Sequence, residues 1–180
     1  MRITDSRYDR DRLRLALAYR MIRLGARTHT IRQATQLSDD RIRRMYRDYF
    51  PSRGADRLRR PRGKSPRQMA FYRRSLDHEQ QTALLGSLIR RCGLEQPYPS
   101  GFRPNLEDAN SFCDAYETYA GLCPGPPHIT FEHAWHLWQV LCCSDEYEFG
   151  PCQDCSALWL RDTLEILPDN CPTCRRGLFK

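Results

Sequence analysis

The sequence predicts a mainly α-helical protein that ends in a small four-cysteine module with short strands. Two observations lead to this fold class. Apolar residues recur close to every 3.6 positions in six separate segments between residues 9 and 142, and two Cys-x-x-Cys pairs follow after residue 150. We therefore expect four regions: a helix-turn-helix-like helical region at 1–50, a basic linker at 51–68, a helical domain at 69–145 and a zinc-ribbon-like module at 146–180.

The first region is expected to contain three helices. The first covers 9–24 and ends at Gly25, and its apolar stripe is Leu13, Ala16, Leu17, Met21 and Leu24. The second covers 30–36. The third follows Ser38, a good N-cap, and runs to about residue 49 with two aspartates in its first turn, where the helix dipole favours negative charge. Three more helices are predicted at 81–92, at 106–120 after Asn105, and at 131–142 after Thr130.

Charge divides the chain into a basic and an acidic part. Residues 1–74 contain 22 Lys and Arg against 7 Asp and Glu, a net of +15, whereas residues 75–180 contain 7 against 15, a net of −8. All but two of the 29 basic residues are Arg. The planar guanidinium suits phosphates and guanine edges, so this part predicts a nucleic acid partner. GC-rich coding is the alternative explanation of the Arg excess.

The cysteine pairs carry the most specific motif. Cys152 and Cys155 are separated from Cys171 and Cys174 by fifteen residues, a spacing used by structural zinc sites, and four thiolates leave no open position for a substrate. We expect one structural Zn²⁺ per chain, held by these four residues. Residues 157–160 and 163–167 are expected to form the strands of the ribbon between the pairs. The alternative is a redox pair or free thiols.

The third helix is the candidate DNA-reading element. Ile42 and Met45 lie on its apolar side, together with Tyr46 and Tyr49, and the spacing of Ile31, Leu37, Ile42 and Met45 is typical of a helix-turn-helix, although Gln36 occupies a turn position where glycine is common. The opposite side is rich in arginine, as a helix in the major groove requires. We predict DNA contacts by Arg41, Arg43, Arg44 and Arg47 of this helix and by Arg59, Arg60, Arg62 and Lys64 of the linker. An ordinary three-helix cluster with a solvated charged face is the alternative.

Catalytic motifs are not evident, and we expect no enzyme. His133 and His136 share one helix, with His128 before it, but there is no His-Glu-x-x-His arrangement, nucleophile elbow or glycine-rich dinucleotide loop. Gly63-Lys64-Ser65 resembles the end of a phosphate-binding loop, yet Leu58 stands where that loop needs glycine. The histidines are expected to pack or to make hydrogen bonds at the surface.

No stretch approaches the roughly 18 to 20 apolar residues of a membrane span, and the first residues lack an apolar signal core. We expect a cytoplasmic protein that does not contact membranes.

Several motifs together resemble the bacterial flagellar transcriptional regulator FlhC. They are Leu24-Gly25-Ala26-Arg27, Thr35-Gln36-Leu37-Ser38, Arg41-Ile42-Arg43-Arg44-Met45-Tyr46-Arg47, Gly63-Lys64-Ser65-Pro66, Ala134-Trp135-His136-Leu137 and the two cysteine pairs. The resemblance covers most of the chain in order; residues 93–130 match poorly, and only six residues follow the last cysteine.

The resemblance implies a mainly helical subunit in which Cys152, Cys155, Cys171 and Cys174 correspond to the zinc ligands. It further implies a heterohexamer with an FlhD-type partner, binding to double-stranded promoter DNA, and activation of transcription with RNA polymerase at flagellar and motility operons. Two other functions are kept as alternatives. The first is an RNA-associated zinc-ribbon protein, and the second is a zinc hydrolase using His133, His136 and a second metal.

Overall fold

The computed structural model describes residues 5–50, 66–98, 100–166 and 170–177. These residues form a mainly helical fold with one two-stranded antiparallel sheet, which confirms the predicted fold class. The helices are α1 Asp5–Arg23, α2 Thr28–Thr35, α3 Asp39–Tyr49, α4 Leu76–Arg91, α5 Leu106–Leu122, α6 Phe131–Cys143 and α7 Pro172–Arg175, with a 3-10 helix at Met69–Arg73. The strands are β1 Tyr147–Pro151 and β2 Leu158–Asp162.

The chain divides into two compact units. The first comprises Met1–Ser65 and Arg103–Cys113, and the second comprises Pro66–Phe102 and Asp114–Lys180. In the part of the chain that the structure describes, no helix is both long and apolar enough to cross a bilayer.

The first unit buries one side of α1 against α2 and α3. The buried side chains of α1 are Leu17, Ala18, Met21 and Ile22. The predicted stripe was therefore partly wrong, because Leu13 is 57% exposed and Ala16 is also exposed. Successive helical residues are about 100° apart, which places Ala16 about 200° from Ala18 around the axis and so away from the core.

A tight turn joins α2 to α3. Gln36 adopts the left-handed conformation at φ 59°, and its N–H donates to the carbonyl of Arg32 at 2.8 Å. Ser38 then caps α3 by accepting a hydrogen bond from the backbone N–H of Arg41 at 3.3 Å, as its sequence position predicts. The buried Leu37 lies between these two residues. Gln36 thus takes the backbone role that glycine has in many such turns.

An aromatic core holds the second unit together. The Trp138 ring packs edge-on against Phe102, with centroids 4.8 Å apart, and against Trp135 at 5.1 Å. Its buried indole N–H donates to the carbonyl of Leu94 at 2.7 Å, so no polar atom of this ring is left unpaired. Thr130, which precedes the predicted helix, is its N-cap, since its hydroxyl accepts from the backbone N–H of His133 at 3.5 Å.

The sheet pairs differently from the prediction. β2 includes most of the segment predicted at 157–160, but 163–166 form no strand, and residue 167 lies outside the described residues. The partner of β2 is β1, which precedes the first cysteine, with Phe149 opposite Leu160. The first Cys-x-x-Cys pair therefore lies in the loop that connects the two strands of the hairpin.

The hairpin is held against α4. The Phe149 ring lies over Gly86, where the absence of a side chain leaves room for the ring. Arg90 of α4 donates from Nη2 to the carbonyl of Phe149 at 2.9 Å. An ion pair of 2.6 Å joins Arg73 of the 3-10 helix to Glu165, which follows β2. These contacts position the four-cysteine group on the helical part of the second unit.

Candidate metal centre and candidate nucleic-acid interface

The four cysteines of the two pairs converge on one point. The Sγ atoms of Cys152, Cys155, Cys171 and Cys174 all lie within 4.8 Å of one another and could hold a metal ion. Cys152 and Cys171 are buried, Cys174 is half-buried and Cys155 is exposed. Two sulfurs come from the β1–β2 loop and two from the start of α7, so the site joins segments that are about fifteen residues apart in sequence.

Each pair is shaped by its own backbone hydrogen bonds. In the hairpin loop the N–H of Ser156 donates to the carbonyl of Cys152, and the N–H of Cys152 donates to the carbonyl of Ala157, both at 2.9 Å. Ser156 has a φ of 59°, which turns the chain back into β2. In the second pair Cys171 is the N-cap of α7, and its sulfur accepts from the N–H of Cys174 at 3.4 Å.

Backbone donors stabilise a thiolate at the centre of this group. The N–H of Cys171 donates to the Cys152 sulfur at 3.1 Å. Burial raises the pKa of the Cys152 thiol, but the N–H groups of Cys171, Cys155 and Asp154 outweigh that effect and lower its pKa to about 6. Burial and the neighbouring sulfurs of Cys155 and Cys171 instead raise the pKa of Cys174. A bound cation would favour all four thiolates over their protonated forms.

The surroundings suit a structural metal. Trp159 is 4% exposed and packs with Cys152 and Cys171 as a small core of its own, with Cys174 against it. The guanidinium of Arg175 lies over the Trp159 ring at 5.3 Å from its centroid. If the four sulfurs bound one Zn²⁺, they would fill the four positions of its usual tetrahedral coordination, as in structural zinc sites.

The five remaining cysteines lie outside this group. Within the described residues, the four-cysteine group is the one set of three or more His, Cys, Asp or Glu side chains placed to hold a metal. Cys142 donates from its sulfur to the carbonyl of Leu94 at 3.2 Å, and Cys92 and Cys143 are exposed at the ends of their helices.

The two histidines of α6 face different partners. The His133 ring stacks on Phe71 with centroids 3.9 Å apart, and its Nδ1 lies 2.8 Å from the hydroxyl of Thr130. The His136 Nδ1 lies 3.0 Å from the hydroxyl of Tyr72. That hydroxyl also donates to the carbonyl of His133 at 2.7 Å, so Nδ1 of His136 is the donor in their contact. Burial lowers the pKa of His136.

His78 is a buried histidine that the sequence analysis did not single out. Its Nε2 accepts a hydrogen bond from Nε of Arg74 at 2.9 Å, which requires a neutral imidazole with its proton on Nδ1. The Nδ1 lies 2.8 Å from the hydroxyl of Ser75, the N-cap of α4. Ser75 and His78 are three residues apart, the spacing of an N-cap and N3, and this signal was present in the sequence.

The arginine face of α3 lies opposite its buried side. Ile42 and Met45 are buried in the first unit, whereas Arg41, Arg43, Arg44 and Arg47 are all exposed. Asp40, Arg43, Arg44 and Arg47 line an open surface recess of about 500 Å³. The helix thus presents guanidinium groups on one side and packs with the other. The predicted contacts Arg59, Arg60, Arg62 and Lys64 lie outside the described residues.

Three of these four arginines are in ion pairs. Arg43 Nη1 lies 3.1 Å from Asp40, Arg41 Nη1 lies 3.5 Å from Asp11 of α1, and Arg47 Nε lies 3.6 Å from Asp48. The four arginines and three aspartates of α3 give this helix a net charge of only +1. The helix is therefore less basic than its arginine content indicates.

No protein-family model matches the chain, and no curated protein matches it. The resemblance to the FlhC family therefore stays a prediction that rests on the motifs quoted above.

Proposed function

We propose that this protein binds double-stranded DNA through the arginine face of α3 and is braced by one structural Zn²⁺ in its four-cysteine group. The observation that carries the proposal is the geometry of α3: Ile42 and Met45 anchor one side in the first unit, and exposed arginines occupy the other. A helix of this kind, presented by a preceding short helix and tight turn, is the element that enters the major groove in helix-turn-helix proteins.

The charge distribution supports nucleic acid as the partner. Residues 1–74 carry a net charge of +15, most of it outside α3. Arginines elsewhere in this part would neutralise phosphates and hold the protein on the duplex, while the face of α3 approaches the bases. The ion pairs on α3 are exposed, and exposed pairs contribute only about 0 to 1 kcal/mol, so phosphates can compete for these arginines.

At a finer level we propose a transcription activator subunit of the FlhC type, which acts in the cytoplasm with an FlhD-type partner and RNA polymerase at promoters of motility operons. This part rests on the motif resemblance in the N-terminal helices and in the cysteine pairs. The proposed role of the protein is regulatory and not catalytic, and the closed four-sulfur group is consistent with a structural metal.

A salt titration tests DNA binding in solution. If about six arginines contact phosphates, the logarithm of the affinity for a duplex falls against the logarithm of salt concentration with a slope of about −5. Replacing Arg43, Arg44 and Arg47 together by Ala should weaken binding and flatten the slope, whereas Arg91→Ala, an exposed arginine of α4, should leave both unchanged. A wild-type slope near −1, or an unchanged triple variant, would remove α3 from the interface.

Crosslinking in the native cells tests the regulatory role. DNA and RNA captured by the tagged protein are sequenced together. Peaks upstream of operons that disappear without the FlhD-type partner support the activator proposal. RNA enrichment without promoter peaks would instead favour the RNA-associated alternative.

A further inference from the structure

Arg44 differs from the other arginines on the exposed side of α3. Arg41, Arg43 and Arg47 each lie within 3.6 Å of a carboxylate oxygen. Among the residues that the structure describes, Arg44 has no such partner. The difference does not arise from a lack of nearby acids.

The two aspartates that could pair with Arg44 on the same helix are already engaged. Asp40 lies one turn before Arg44 and Asp48 lies one turn after it, both at the i, i+4 spacing that allows side-chain pairs. In the structure Asp40 pairs with Arg43, and Asp48 pairs with Arg47. These two acids of α3 therefore pair with the arginines on either side of Arg44 and, among the described residues, leave its guanidinium without a carboxylate partner.

Arg44 is also central on the exposed face. It is the sixth of the eleven residues of α3 and lies with Arg43 and Arg47 in the lining of the open recess. In helix-turn-helix proteins the N-terminal part of the recognition helix contacts the base edges, and Arg44 lies within the first two turns of α3. The carboxylate beside each paired arginine competes with DNA for its guanidinium, whereas among the described residues no carboxylate competes for that of Arg44.

We propose that Arg44 is the base-reading residue of α3 and that it recognises a guanine in the major groove. This inference rests on the proposed function, since it names what the α3 face reads. Guanine presents two acceptors there, N7 and O6, and the two parallel N–H groups of an unpaired guanidinium match both. Lysine keeps the charge of arginine but lacks the fork, which separates base reading from simple phosphate attraction.

The test removes one acceptor atom from the DNA. The tagged full-length protein is recovered from its native cells with any partner it retains, and its preferred duplex is selected from a random library. Each guanine of that duplex is then replaced in turn by 7-deazaguanine, which lacks N7. At one guanine the wild-type protein should lose affinity about tenfold. Arg44→Ala and Arg44→Lys should bind the two duplexes equally at that position.

Arg43→Ala is the matched control, because it removes an exposed, ion-paired arginine one residue away. It should weaken binding to both duplexes alike and keep the wild-type loss at the modified guanine. If Arg44→Ala or Arg44→Lys keeps that loss, or if Arg43→Ala abolishes it, the assignment of Arg44 is wrong while DNA binding stands. If the wild-type protein selects no duplex and binds none, the proposed function itself fails.

Discussion

At Gly86, the addition of a methyl group would have two opposing effects on the stability of the protein. Alanine has a higher helix propensity than glycine by about 1 kcal/mol, but a Cβ at this position of α4 would overlap the Phe149 ring. Phe149 is 5% exposed and belongs to β1, so its ring cannot move far without shifting the hairpin. Packing therefore outweighs propensity at this site.

We predict that Gly86→Ala destabilises the protein by about 1 to 3 kcal/mol, the usual cost of overpacking. Gly121→Ala is the matched control, because Gly121 is also helical and a Cβ there meets nothing within 4 Å. That variant should be unchanged or more stable by up to about 1 kcal/mol. Urea unfolding of both variants measures the difference, and equal stabilities would show that Phe149 does not hold the hairpin on α4.

Among single residues, caps were the easiest to predict and left-handed positions the hardest. Ser38 caps its helix as expected, and Asn105 and Thr130, which precede two predicted helices, cap theirs, because a short polar side chain before an apolar stripe favours this use. Gln36 and Ser156 both adopt a positive φ, although their residue types do not favour it. A backbone hydrogen bond accompanies each conformation, from the N–H of Gln36 to the carbonyl of Arg32 and from the N–H of Ser156 to the carbonyl of Cys152.

At the scale of elements, the helices followed from sequence more closely than the strands did. The predicted helix at 106–120 is α5, and that at 131–142 is α6, with ends that differ by at most two residues. The helix predicted at 81–92 is α4, which begins instead at Leu76. Residues 77–81 are all polar, so the apolar periodicity did not reveal the first turn of this helix. The strand predicted at 163–167 was wrong, because short apolar runs carry no information about their partner.

The four-cysteine group is the element on which we expect the hairpin to depend. We predict that Cys171→Ser loses the bound zinc and unfolds the hairpin and α7, while the far-UV signal of the helices is largely retained. Trp159 shares a small core with Cys152 and Cys171, so a metal bound by these thiolates would contribute directly to the stability of this segment. Metal analysis and limited proteolysis of the variant measure the two effects.

Cys92→Ser is the control for this prediction, because Cys92 is exposed and outside the four-cysteine group. It should keep one zinc per chain and resist proteolysis like the wild-type protein. Full zinc occupancy in Cys171→Ser would contradict the proposed ligand set.

At the scale of the whole molecule, we expect the free energy of unfolding to fall at acidic pH, because His78 is buried in its neutral form. Burial lowers the pKa of His78 below its usual 6.5, and the charges of Arg74 and His128 add to this effect against the opposing charge of Asp77. The unfolded chain therefore binds a proton at a higher pH than the folded one does. The contribution of neutral His78 to the free energy of unfolding is complete above about pH 6.5. It is lost as the pH falls from 6.5 towards the lowered pKa of His78 in the folded protein.

We predict that His78→Gln reduces the loss of unfolding free energy between pH 7.5 and pH 5.5, whereas His29→Gln, at an exposed histidine, leaves it unchanged. Urea unfolding at several pH values measures the slopes. The raised pKa of the half-buried Glu79 acts in the opposite direction, but it is common to all three proteins and cancels in the comparison. Parallel curves for wild type and His78→Gln would contradict a neutral, buried His78.

The sequence by itself determined the helical class, most helix ends, the four-cysteine motif and the separation of basic from acidic charge. These follow from local periodicity, capping and composition, which are read without knowing what each segment contacts. Only the tertiary structure decided the pairing of β1 with β2, the assignment of Arg103–Cys113 to the first unit, the buried hydrogen bond of His78 and the ion pairs that single out Arg44. Each depends on which side chains meet across the chain, and residue spacing along one segment does not contain that information.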